Sequence, residues 1–176
     1  TYTVTGTLNG CTNTATVDVT SNPIPVIATT NTSVCTGGTV ALNAGGATTY
    51  TWSPATYLSA TTGATVNFVN GATTTYTVTG TLNGCISSSP LTVTVTPSAP
   101  INAGPDITVC AGTTTPITAS GGVTYVWSPA TYISATTGAT VTFTPGVTTT
   151  YTVTGTDAVG CIGSDQVVVT VSPLPT

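Results

Sequence analysis

The sequence predicts an all-β protein built from tandem β-sandwich repeats of about 75 residues, one disulfide to each. Three observations carry that prediction. The stretch TYTVTGTLNGC stands at Thr1–Cys11 and again, letter for letter, at Thr75–Cys85, and a third copy with one added residue stands at Thr150–Cys161. About fifty residues are threonine, a β-branched type that favours pleated, half-buried surfaces over helices. Short alternating runs are punctuated by Gly-Gly, Asn-Gly and Ser-Pro at turn spacing.

The repeated stretch is a strand by its period. Tyr76, Val78 and Gly80 fall on one face, and Thr75, Thr77, Thr79 and Thr81 on the other. Asn83-Gly84 follows, the strongest short hairpin signal because both residues tolerate positive φ. A return strand is expected through Leu91, Val93 and Val95. Further strands are expected at Val26–Thr29, Thr39–Ala44, Thr48–Trp52 and Ala64–Val69, with turns at Gly37-Gly38, Gly45-Gly46, Ser53-Pro54 and Asn70-Gly71.

The next seventy-odd residues repeat this order. WSPATYLSATTGATV from Trp52 returns as WSPATYISATTGATV from Trp127, and Leu42, Tyr50, Val66 and Phe68 correspond to Ile117, Tyr125, Val141 and Phe143. The expected division is 1–22, the closing hairpin of a unit begun upstream; 23–97 and 98–172, two complete units; and 173–176, the start of another joint. Proline-rich joints (Pro23-Ile24-Pro25; Pro97 to Pro100; Pro173 to Pro175) separate them and should be short and stiff. The expected core is Trp52, Phe68, Tyr76, Val78, Val93 and Val95 in one unit, with Trp127, Phe143 and Tyr151 among their counterparts.

Cysteine spacing suggests a framework. Cys35 and Cys110 share a context, SVCTGGT and TVCAGTT, and Cys85 and Cys161 sit in repeated hairpins. The economical pairing is Cys35–Cys85 and Cys110–Cys161, with Cys11 joined to an upstream cysteine. Regular disulfides imply an oxidising, extracellular or periplasmic setting. A bridge around a loop of about 50 residues stabilises by roughly 4 kcal/mol on the chain-entropy view.

The chain has no Lys, Arg, His, Glu or Met, and its carboxylate side chains are Asp18, Asp106, Asp157 and Asp165. Nucleic acid and anionic lipid are excluded as partners, since nothing neutralises phosphate. No apolar run is long enough to span a membrane. General acid–base or nucleophilic catalysis lacks a base, so no enzyme, cofactor or metal is expected. Asp157 and Asp165 bracket one hairpin turn, but the other copies lack them, and calcium wants six to eight oxygens. Tyr57 and Tyr132 follow WSPAT in a loop, where they either cover a sandwich end or stack on sugar rings. Threonine ranks are too far apart along the repeat for an ice-binding lattice. No Asp precedes Ser or Thr to mark O-glycosylation, and Asn31-Thr32-Ser33 is a formal N-glycosylation sequon. Trypsin has no site in the chain.

The order Cys, Trp, Tyr, Cys resembles immunoglobulin-type sandwiches, except that Tyr76 precedes Cys85 by nine residues, across the hairpin turn. That offset implies a bridge stapling one pole of the sandwich. The longer pattern, from VCxGxxxxLxA through TYxWSPAT and GATVxF to TTTYTVTGTxxxGC and VxVxPxP, resembles the Ig-like or PKD-like repeats of large Bacteroidota surface proteins. Those are typical of gliding-motility-associated adhesins exported by the type IX system. The resemblance implies a cell-surface stalk or filament whose partners are neighbouring repeats or other copies, with glycan binding through Tyr57 and Tyr132 as the alternative.

Overall fold

The structure, a computed structural model, describes residues 1–172; the joint expected at 173–176 lies outside the described residues. The described residues form β-strands, turns and irregular segments. Contacts gather the chain into two compact units. One comprises Thr1–Asn31, Ala41–Phe68 and Thr75–Thr92; the other comprises Thr32–Val40, Val69–Thr74 and the described chain from Val93 onward. The division cuts across the first full sequence repeat, so its cysteine-bearing end belongs to the second unit.

The chain opens on a lone hairpin, β1 (Tyr2–Leu8) and β2 (Cys11–Val17), paired from Tyr2↔Val17 to Leu8↔Cys11. Its strands are exposed along their whole length. The first full repeat follows with β3 (Thr32–Cys35), β4 (Thr39–Asn43), β5 (Thr49–Ser53), β6 (Thr65–Val69), β7 (Thr74–Leu82) and β8 (Cys85–Thr96). Its sheets have the orders β3-β8-β7-β5 and β4-β6. The second repeat has β9 (Ile107–Cys110), β10 (Thr115–Thr118), β11 (Thr124–Ser128), β12 (Thr140–Phe143), β13 (Thr149–Thr156) and β14 (Ile162–Ser172). Its sheets, β11-β13-β14-β9 and β10-β12, repeat the same plan. A four-stranded sheet with one short parallel edge strand, facing a two-stranded sheet, is an Ig-like sandwich.

Alternation explains why these sheets face each other. Strands β5 and β6 alternate exposed and buried at every step, and in β7 Tyr76, Val78 and Gly80 point inward. Trp52, Phe68, Tyr76, Trp127, Phe143 and Tyr151 are all buried. In the first repeat Tyr76 meets Phe68 edge-on at 6.5 Å between ring centres; in the second, Phe143 lies against Tyr151 at 4.2 Å. Their polar tips are satisfied, as burial demands. Trp52 Nε1 donates to Gly63 O (2.9 Å) and Tyr76 Oη to Thr56 O (2.7 Å), and Trp127 and Tyr151 repeat both bonds to Gly138 and Thr131. Val95, expected in the core, is only half-buried, and Leu91 takes a fully buried place instead.

The structure departs from the expected strand list at the start of each repeat. Val26–Thr29 is not a strand: only Ala28 bridges, to Gly45, while Val26 is exposed. The pairing strand is β3, just downstream, running parallel to β8 from Thr32↔Val93 to Cys35↔Thr96. Residues in and just after the joints wedge into the sandwich, with Ile27 in the first repeat and Ala99, Ile101 and Ala103 in the second buried. The glycine of YTVTG makes room for them. A Cβ on Gly80 would lie 2.3 Å from Ile27 Cδ1, and one on Gly155 would lie 2.5 Å from Ile101 Cδ1.

Candidate functional site: a disulfide between successive repeats

Cys35 is the last residue of β3. Its position is fixed by the parallel register with Thr96 and by Thr36, whose N–H donates to Thr96 O at 2.8 Å. Gly38 N–H closes the following turn onto Cys35 O at 2.9 Å. Cys161 lies just before β14, at the end of the hairpin that carries the extra residue. Asp157 explains that insertion: its carboxylate accepts from Val159 N (3.0 Å) and Cys161 N (2.9 Å), folding the longer turn around itself. The two cysteines are bonded to each other, S–S 2.05 Å, with Cα atoms 5.5 Å apart and a sequence separation of 126. Both belong to the second compact unit, yet they come from successive sequence repeats.

The expected pairings Cys35–Cys85 and Cys110–Cys161 are therefore corrected, and strand register gives the reason. Cys85 begins β8, and Cys35 is level with Thr96 at its other end. At about 3.3 Å per residue those ends are roughly 36 Å apart, whereas a disulfide tolerates Cα separations below about 7 Å. The same holds in the second repeat, where Cys110 is level with Ser172 and Cys161 precedes Ile162 at the far end of β14. Each repeat thus carries a cysteine near each end of its last strand, and the observed bond joins one repeat to the next. Cys11, Cys85 and Cys110 are free thiols. On the chain-entropy view, closing the larger loop contributes roughly 5 kcal/mol.

The carboxylates serve the backbone. Asp106 accepts from Val168 N at 2.8 Å, the place where Asn31 accepts from Thr92 N in the first repeat. Asp165 accepts from Ala103 N at 2.9 Å, which ties the post-joint segment to β14. That hydrogen bond, with a second from the backbone at Gln166, holds its carboxyl below the ordinary range. Asp18 lies beside the Thr1 ammonium, 3.7 Å away. Asp157 and Asp165, considered above as a calcium pair, are each turned to backbone N–H groups. Among the described residues no group of three or more His, Cys, Asp or Glu is placed to hold a metal.

Tyr57 and Tyr132 take positive φ (64° and 61°) after the Ser-Pro turns and remain 41 % and 44 % exposed. Tyr57 sets its ring edge-on to Phe68 at 5.9 Å, covering that end of the core. Tyr132 O accepts from Thr144 N at 2.9 Å. Each repeat also has a shallow groove beside its Trp strand, lined by Thr48, Thr51 and Thr62 in one and by Thr124, Val126 and Thr137 in the other. Large apolar side chains are exposed on the opening hairpin (Tyr2, Val4, Leu8), around the first joint (Ile24, Val26) and on the repeats themselves (Ile86, Val147, Val159).

No known family's sequence profile matches the chain, and no curated protein sequence does. Among solved structures it is similar to the I-band fragment I67–I69 of titin (TM-score 0.43, 15 % identity, 87 % of this chain and 67 % of that one). It is also similar to the two-domain IG1+IG2 structure of DIP-gamma (0.40, 11 %, 85 % and 98 %) and to extracellular domains 3–5 of Drosophila OTK (0.41, 13 %, 84 % and 62 %). The Ig-like assignment rests on the strand order and packing described above. No helix among the described residues is long and apolar enough to cross a membrane.

Proposed function

We propose that the chain is a non-enzymatic structural segment of an extracellular filament or adhesin stalk at the cell surface, with Ig-like repeats at 23–97 and 98–172 as its building blocks. The observation that carries this reading is the Cys35–Cys161 bond between successive repeats. A bond inside a repeat would protect that repeat alone. One that straps consecutive repeats also limits how far the chain can be drawn out, which is what a part under tension needs. Buried aromatic cores, proline joints and the absence of any basic side chain fit the same role. The motif pattern supports placing the chain among the large Bacteroidota surface proteins it resembles, with neighbouring repeats and other copies as partners. A glycan-binding array is the weaker reading, because Tyr57 uses its ring on Phe68.

Pulling the chain by its termini in single-molecule force spectroscopy tests the mechanical reading. With the bond intact, only the residues outside the closed loop can extend, about 180 Å of contour at roughly 3.5 Å per residue, against about 620 Å after reduction. Equal contour lengths with and without reductant would refute it.

A further inference from the structure

We propose that the outer edge of β4 is a docking edge at which two copies of the chain pair antiparallel, joining their small sheets in the order β6-β4-β4-β6. The proposal deepens the filament reading by naming the surface through which copies meet. Backbone hydrogen bonding around the first repeat singles out this edge. Its two sheets have four edges, formed by β3, β5, β4 and β6. Residues 61–63 close β5, with Trp52 N donating to Thr61 O (2.8 Å) and Gly63 N to Tyr50 O (3.2 Å). Ser59 closes β6: its N–H donates to Asn67 O (2.8 Å) and its hydroxyl accepts from Asn67 N (3.0 Å). Strand β3 is four residues long and ends in the Cys35–Cys161 bond.

Strand β4 has no such cover. Ala44 N donates to Ala64 O at 2.8 Å. The alternation of an antiparallel ladder then points the backbone groups of Val40 and Leu42 at β6, and the N–H and C=O of Thr39, Ala41 and Asn43 outward. All three of these residues are exposed. The edge is bare for an internal reason: Ala28 pairs with Gly45, and the chain then crosses at 29–31 to run beside β8 as β3. A complete repeat upstream does not supply cover, since β10 has one before it and pairs only with β12 among the described residues.

The second repeat guards the same edge. Ala119 N donates to Ala139 O at 2.8 Å, so by the same alternation Pro116 stands where Ala41 does, with its nitrogen outward. Proline there removes an outward donor and costs the inner ladder nothing, one of the ways natural edge strands are kept from pairing. Strand β4 has neither proline nor charge, and residues 19–105 contain no charged side chain at all.

Self-complementarity selects a second copy as the occupant. With Ala41 opposite Ala41 across a two-fold axis, Thr39 faces Asn43 twice and about six backbone hydrogen bonds form. Asn43 Oδ1 accepts from Thr65 Oγ1 (2.8 Å), which leaves its NH2 to donate to the Thr39 hydroxyl of the second copy. No like charges meet, because the strand carries none. The Ala28 bridge bounds the contact at one end and the Gly37-Gly38 turn at the other, so it is small and its affinity is modest.

The whole chain, with its thiols alkylated and Cys35–Cys161 intact, is followed by sedimentation equilibrium up to about 1 mM, where weak complexes populate. The expected result is a monomer–dimer equilibrium, with the amides of Ala41 and Asn43 exchanging hydrogen severalfold more slowly in concentrated than in dilute solution. Ala41→Pro, which copies Pro116, keeps the urea midpoint of the monomer and raises the dimer dissociation constant at least about tenfold. Monomer at every concentration, a dimer indifferent to Ala41→Pro, or exchange at Ala41 and Asn43 that ignores concentration would overturn the proposal. The exchange measurement needs no variant, so a poorly folded Ala41→Pro chain leaves the test standing. A chain that stays monomeric while its contour length still depends on reductant loses this inference alone. One whose contour length ignores reductant loses the filament reading, whether or not it dimerises.

Discussion

Thr1–Cys11 and Thr75–Cys85 are the same eleven residues in two different settings. Both turn at Asn-Gly with positive φ, 53° and 82° in the first copy against 49° and 81° in the second, and both make a hairpin. There the likeness ends. Tyr2 and Val4 are 66 % and 64 % exposed, whereas Tyr76 and Val78 are wholly buried. A Cβ on Gly6 would meet nothing within 4 Å, while one on Gly80 would strike Ile27. Local sequence is enough to specify turn and register; burial has to come from elsewhere in the chain. In the second copy Phe68 and Ile27 supply cover, and residues 1–22 contain no counterpart of either. A two-stranded hairpin is stable in water only when one face is packed, and the second copy has that packing.

Substitutions can break this comparison. The largest effect is expected for the tyrosines. Tyr76→Ala removes a ring packed on Phe68 and a buried hydrogen bond and should cost about 3–5 kcal/mol in urea unfolding, whereas Tyr2→Ala should cost less than about 0.5 kcal/mol. Equal costs would mean that the opening hairpin is covered after all. Next come the glycines. Gly80→Ala overpacks the Ile27 seat and should lose about 1–3 kcal/mol, with Gly6→Ala near neutral by the same measurement.

The smallest effect concerns the third hairpin, which has Asp165 where the other copies have Ala15 and Ser89. Ser89 meets Thr29 through hydroxyls at 3.1 Å; Asp165 holds Ala103 N. Its carboxyl is held below its ordinary value in the folded state, chiefly by that hydrogen bond. The stabilisation is therefore present above the unfolded carboxyl range, near pH 4, and is lost as pH falls through the lower folded value. Urea midpoints measured from neutral pH into acid should fall less for Asp165→Asn than for the parent chain. Identical acid slopes would remove Asp165 from the account.

Much of the sandwich was legible from local pattern. Alternation places Tyr76, Val78, Trp52 and Phe68 on inward faces, and Asn-Gly marks the tight hairpins. Strand β3 was not legible. It is four residues long, and its parallel partner lies some sixty residues away with no connecting turn to announce it. Without β3, nothing in the sequence says that Cys35 and Cys85 stand at opposite ends of one strand, and pairing within a repeat looks the more economical. The joints were half legible: their prolines mark the place, but the insertion of Ile27 and Ile101 over Gly80 and Gly155 depends on packing between distant segments. Asp157 as the organiser of its own turn was hidden for a different reason, since an inserted residue reads equally well as slack.

Because the chain contains no Lys or Arg, chymotrypsin is the protease of choice for deciding the central point. A non-reducing chymotryptic map of the monomer should yield one cross-linked species joining the Cys35 peptide to the Cys161 peptide, with Cys85 recovered alkylated. A Cys35–Cys85 species in its place would contradict a connection between successive repeats.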